Sequence, residues 1–125
     1  MDIEGLDHLV LTVASIDASL VFYERVLGMT RESFSGGREA VRFGRQKINL
    51  HEAGREFEPK SRRPTPGSGD LCFIVADLDE AIAHLRQCDV EIEEGPVPRT
   101  GARGDMMSVY FRDPDGNLIE LARYG

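Results

Sequence analysis

The sequence lacks most of what would place it in a specialised class. It has no tryptophan, two cysteines and three histidines in 125 residues. Two cysteines, Cys72 and Cys88, make no disulfide framework, so they are expected to be buried free thiols in a reducing, cytoplasmic setting. No apolar run approaches the roughly 18 residues of a membrane helix. No charged leader followed by an apolar stretch reads as a signal peptide. Positive charge is also short, with 15 Lys and Arg against 22 Asp and Glu and a net charge of -7. That balance excludes a general binder of nucleic acid or of anionic membranes, which needs a basic face against phosphate. The local clusters "KSRRP" (Lys60 to Pro64) and "RTGAR" (Arg99 to Arg103) read as solvated loops. The length suits one domain that buries its core without disulfide or metal support.

What is present is a repeat. "LTVASIDASL" (Leu11 to Leu20) aligns without gaps on "FIVADLDEAI" (Phe73 to Ile82), so Val13, Ala14 and Asp17 return as Val75, Ala76 and Asp79. Each copy closes on a turn and a strand, "VRFGRQKINLHE" in the first and "VYFRDPDGNLIEL" in the second. Module one is expected over about residues 5–52 and module two over about 70–124, joined by a polar linker over 53–69. Each module reads as strand, helix and three strands. In module one Ser15 suits the N-cap, Ile16, Leu20, Tyr23 and Leu27 form the apolar stripe, and Gly28 ends the helix. In module two Asp77 caps a helix carrying Leu78, Ala81, Ile82 and Leu85. Strands are then expected near "VEIEEG", "MMSVYF" and "NLIELA", with Asp113 to Gly116 as a β-turn.

Strand alternation sorts the polar residues. If Leu9, Leu11 and Val13 face the helix, His8 faces away, and the same reasoning turns His51, Asp70 and Glu120 away from the helices. These four ionisable groups then occupy first and last strands of the two modules. A carboxylate such as Glu120, between Ile119 and Leu121, needs a cation or strong donors in a closed site. Two imidazoles with a carboxylate suit a divalent first-row metal with open positions. The expected metal ligands are therefore His8, His51 and Glu120. His84, on a helix, reads as solvated.

The two βαβββ copies, "DHLVLTV" near the start and "FRDPDGNLIEL" near the end resemble the vicinal oxygen chelate superfamily of glyoxalases, bleomycin resistance proteins and extradiol dioxygenases. The runs "FGRQKINLHE", "FEPKSRRPTPGSGDLCF" and "EEGPVPRTGARG" look closest to members called glyoxalase-domain-containing protein 5. The resemblance implies an α+β fold of two paired βαβββ modules, a curved mixed-sheet cup with helices on its outer face. It implies a divalent metal, whether zinc, nickel, manganese, cobalt or iron(II), bound by His8, His51 and Glu120. His51 is placed at the last-strand ligand position of module one, as the counterpart of Glu120. Where several members carry histidine this chain has Asp70, which weakens the dioxygenase and fosfomycin-resistance readings. The implied activity is a metal-dependent lyase or isomerase of the glyoxalase type, acting on a glutathione hemithioacetal or a similar small oxygen-chelating substrate. Its alternatives are an iron(II) dioxygenase and a non-catalytic drug-binding protein. The resemblance implies as catalytic base either Glu120, serving as ligand and base, or Asp70, and it makes Arg99 and Arg103, in a glycine-containing loop, candidates to hold a substrate carboxylate. A homodimer is expected as the assembly.

Overall fold

The computed structural model describes residues 1–125. The chain divides into two compact units, Met1–Pro66 and Gly67–Gly125, each a complete βαβββ module. Module one contains β1 (His8–Val13), α1 (Ile16–Arg25), β2 (Thr30–Phe34), β3 (Arg38–Phe43) and β4 (Gln46–Glu52). Module two contains β5 (Asp70–Ile74), α2 (Leu78–Gln87), β6 (Glu94–Gly101), β7 (Gly104–Arg112) and β8 (Leu118–Tyr124). Each forms a four-stranded mixed sheet, ordered β1-β4-β3-β2 and β5-β8-β7-β6. In each the first strand pairs parallel with the last and the other pairs are antiparallel. A parallel pair requires a crossover, and the helix supplies the first part of it. Neither helix is long and apolar enough to cross a membrane.

The helices begin where their caps direct. The Ser15 hydroxyl accepts from the Ala18 N–H at 3.1 Å, and the Asp77 carboxylate accepts from the Glu80 N–H at 3.0 Å. Gly28 takes φ +66° just after α1, the left-handed conformation that glycine adopts without penalty. Helix α1 buries Leu20 and Tyr23 against β2, β3 and β4, and α2 buries Leu78, Ile82 and Leu85 against β7 and β8. The sheet side of these cores is Leu11, Val13, Ile48 and Leu50 in module one, and Val109, Phe111, Ile119 and Leu121 in module two. Those residues face the helices because burial there withdraws apolar surface from water. The opposite faces of β1 and β5 stay open within their modules, with Val10 44% and Ile74 50% exposed.

Two expectations need correction. No strand forms at Val90 to Glu93; β6 starts at Glu94 and runs through Pro96, Pro98 and Arg99. Two prolines argue against a central strand, but β6 is the edge of its sheet, where a missing N–H breaks no ladder. A register shift between Glu94 and Val97 accommodates them, and only glycine fits at position 95, because a Cβ there would strike the Ser108 carbonyl oxygen. The segment after β4 is also more than a linker. It belongs to the first unit, and its Phe57 is half-buried with its ring edge-on to His51 at 5.5 Å.

Candidate functional site

In each module the parallel strand pair sets out the polar residues on the face away from the helix. In module one His8 pairs with Lys47, Val10 with Asn49 and Thr12 with His51. In module two Asp70 pairs with Leu118, Cys72 with Glu120 and Ile74 with Ala122. His8 therefore corresponds to Asp70, and Asn49, rather than His51, corresponds to Glu120. His51 corresponds to Ala122. The signal was present in the sequence as Ile48-Asn49-Leu50 against Ile119-Glu120-Leu121. Aligning on the apolar pair, rather than on the ionisable residue, recovers it.

The same register separates His8 from His51. They lie four positions apart on neighbouring parallel strands, about 13 Å along the strand direction at roughly 3.3 Å per residue. Side chains that stand perpendicular to a sheet do not lean far enough for both imidazoles to bind one ion at about 2 Å. His8 and Asn49, by contrast, are offset by two positions, and Asp70 and Glu120 repeat that offset.

Local contacts prepare these groups. The His8 Nδ1 lies 2.7 Å from an Asp7 carboxylate oxygen. With Nδ1 donating to Asp7, Nε2 keeps its lone pair free, the arrangement that orients metal-bound histidines. His8 in turn holds the Asp7 carboxyl below the usual carboxylate range. Asn49 is buried, and its Oδ1 has no hydrogen-bond partner. In module two Glu120 is a hub. Its Oε2 accepts from the Ser108 hydroxyl at 2.6 Å, and the Cys72 thiol and the Tyr110 hydroxyl also hydrogen-bond to it. Cys72, expected to be buried, is exposed at the surface; partial desolvation, with the Glu120 charge adding to it, pushes its thiol up to about 11, so it stays protonated and donates. Burial likewise raises Tyr110, whose hydroxyl accepts from Arg99 Nε at 2.9 Å.

Arg99 thus sits in strand β6, on the Glu120 face, rather than in a loop. Its Nη2 also pairs with Glu94 at 3.2 Å. Arg103 lies in the β6–β7 turn, where its backbone N–H donates to the Tyr124 hydroxyl and its guanidinium covers that ring. Tyr124 is four residues beyond Glu120 on β8, so Arg103 does not join the Glu120 cluster. Ser108, Tyr110 and Asn49 are site neighbours that sequence reasoning missed. The first two follow from alternation in β7 once its register on β8 is known.

The motif "DPDGN" places both donors of module two. The Asp113 carboxylate accepts from the Asp115 and Asn117 N–H groups, each at 2.9 Å, and from Asn117 Nδ2 at 2.7 Å. Asn117 Oδ1 then accepts from the Gly69 N–H at 2.7 Å, and the Leu118 N–H donates to the Gly69 carbonyl. The turn therefore ties the start of β5, with Asp70, to the start of β8, two residues before Glu120.

A family model described as the glyoxalase/bleomycin resistance protein/dioxygenase superfamily matches residues 5–121. The chain belongs to that superfamily. Among its relatives is virulence protein STM3117 of Salmonella typhimurium, 54% identical over 99% of this chain and 87% of that protein. The crystal structure of that protein superposes with a TM-score of 0.98 over all of both chains. Glyoxalase domain-containing protein RDO1 of Mycosarcoma maydis is 51% identical over 99% of this chain and 70% of that one. The structure of a lactoylglutathione lyase from Agrobacterium tumefaciens matches with a TM-score of 0.77 and 25% identity, over 98% of this chain and 96% of the other. The superfamily therefore includes enzymes.

The superfamily implies a divalent metal, and the donors of this chain suit one. His8 has a free ring nitrogen, Asn49 an unpartnered buried oxygen, and Glu120 a carboxylate already held by hydroxyl and thiol donors. No three His, Cys, Asp or Glu side chains gather in the chain to hold an ion.

Proposed function

We propose that the protein is a metal-dependent enzyme of the glyoxalase type, a lyase or isomerase for small substrates that present two neighbouring oxygens. The observation that carries this reading is the repeated pair of diagonal donors, His8 with Asn49 and Asp70 with Glu120. In this reading His8, Asn49 and Glu120 hold the ion and Asp70 stands at the fourth position. His51, assigned as a ligand from the sequence alone, falls outside the set by register. One imidazole among oxygen donors favours a harder ion such as manganese(II) over zinc.

Bound there, a divalent metal supplies Lewis acidity to two adjacent substrate oxygens. The remaining work belongs to the chain. Ser108 fixes the orientation of Glu120, so a carboxylate oxygen stays aimed at the site. Asp70, exposed at the start of β5, removes a proton beside the substrate carbonyl and returns it to the neighbouring carbon. Arg99, held by Tyr110, offers its guanidinium to a substrate carboxylate, whereas Arg103, expected to share that role, lies over Tyr124 and falls outside it. The hemithioacetal of a 2-oxoaldehyde and glutathione meets these requirements. Ring-cleaving iron(II) chemistry uses two histidines with one carboxylate, which this donor set does not supply.

The test is reconstitution with manganese, zinc, nickel, cobalt or iron(II), followed by an assay of hemithioacetal isomerisation. Turnover is expected with at least one ion, and Glu120→Gln lowers the affinity for that ion about tenfold or more. Tight metal binding without turnover on several 2-oxoaldehyde adducts removes the glyoxalase step and keeps the metal centre. Failure to bind any of these ions overturns the whole reading.

A further inference from the structure

Module one contains a cavity of about 460 Å³ that the metal donors do not use. That size lies within the range of small-molecule sites. One side is apolar, built from Val10, Pro59 and Pro64. The other presents the Thr12 and Ser61 hydroxyls, the His51 ring and the Lys60 ammonium. The residues that follow β4 double back as a strap, so a strand face and a loop enclose one volume.

The charge pattern selects the ligand. Lys60 pairs with Glu58, but the Glu58 side chain is 69% exposed against 34% for Lys60. A pair so open to water binds weakly, and the ammonium exchanges its partner for a better one at little cost. Behind the cavity wall the Phe57 ring supports His51, and the Arg38 guanidinium lies 4.4 Å over that ring. Arg38 adds a second positive field, and the Glu56 carboxylate opposes it at both His51 and Lys60. A single lining cation with two hydroxyls fits a compact monoanion. A dianionic phosphate draws on several cations or a helix N-terminus.

We propose that this cavity binds the carboxylate end of a small hydroxy- or oxo-acid, with Lys60 as its counter-charge, Thr12 and Ser61 as hydroxyl donors, and Val10, Pro59 and Pro64 against its carbon skeleton. Thr12 and His51 lie two residues beyond the Val10–Asn49 pair. This site lies in module one, apart from Arg99, and the inference goes beyond the proposed function and stands independently of it.

The test uses the full chain in excess EDTA, so the metal reading does not enter. Lactate is titrated while backbone amide shifts are followed by NMR, with lactamide as its uncharged counterpart. Lactate is expected to shift the amides of Thr12, His51, Lys60 and Ser61 in a saturable way, with lactamide binding at least about fivefold more weakly. Lys60→Met is expected to weaken lactate by a similar factor and leave the fold unchanged, because Lys60 is a surface residue. The inference is overturned if lactamide matches lactate, if Lys60→Met binds lactate as well as the parent, or if the shifts fall outside the cavity. Lactate binding that appears only after metal is restored also overturns it, and leaves the metal centre standing.

Discussion

Asn49 places an amide oxygen without a partner inside a strand otherwise filled by Ile48 and Leu50. Leaving such a group unsatisfied costs about 1–3 kcal/mol, a cost that a ligand to the oxygen would offset. The residue two positions further, His51, makes a different prediction. It is buried, and burial together with Arg38 holds it neutral below the ordinary histidine value. As the pH falls through about 6.5, the unfolded chain takes up this proton before the folded one does. Stability present above that pH is therefore lost on acidification, down to the lower folded value. Urea unfolding in EDTA at about pH 7.5 and about pH 5.5 measures the loss. His51→Gln is expected to shrink it, and an equal loss in both proteins would count against a buried neutral His51. At this scale alternation placed His8, Asn49, His51, Asp70 and Glu120 on the strand faces away from the helices, as the strand pairing has them. It did not distinguish Asn49 from His51, because both lie on the same face and only the pairing register separates them.

Among the elements, the Asp113–Gly116 turn matters more than its role as a connection suggests. Through Asn117 it ties Gly69, and so the first residue of β5, to the head of β8. Asn117→Ala removes the acceptor of the Gly69 N–H and the donor to Asp113. A loss of about 2–3 kcal/mol in unfolding free energy is expected, read from the urea midpoint at constant m-value. A change under about 0.5 kcal/mol, typical of an unimportant surface site, would show that the tie carries no weight. The turn was readable because proline fixes its own φ and glycine reaches positive φ without penalty, as Gly116 does at +88°. Strand β6 was not. Its Gly95-Pro96-Val97-Pro98 run has the local chemistry of a loop, and it is a strand because an edge position next to β7 tolerates missing donors.

At the level of the whole molecule, we propose that chains associate through the open faces of β1 and β5, where Val10 and Ile74 expose apolar surface. We expect a homodimer in which His8 of one chain and Glu120 of another serve one ion. His8→Ala and Glu120→Gln each lose metal binding when alone. Mixed after co-refolding, hybrid dimers carry one site with both donors intact, so metal binding returns in part, as calorimetry would record. A mixture that stays as weak as its components places both donors in one chain instead.

The amino-acid sequence by itself determined the duplicated βαβββ pattern, the helix caps, the β-turn and the side of each strand on which the polar residues fall. All of these follow from periodicity and from the conformational limits of single residues. Tertiary structure decided which strand pairs with which, in what register, and what the strap after β4 encloses. A shift of two residues in a strand preserves the face and every local preference while moving a side chain by about 7 Å. Local sequence is therefore blind to it, and the hydrogen-bonded ladder of β1 on β4 and of β5 on β8 settles it.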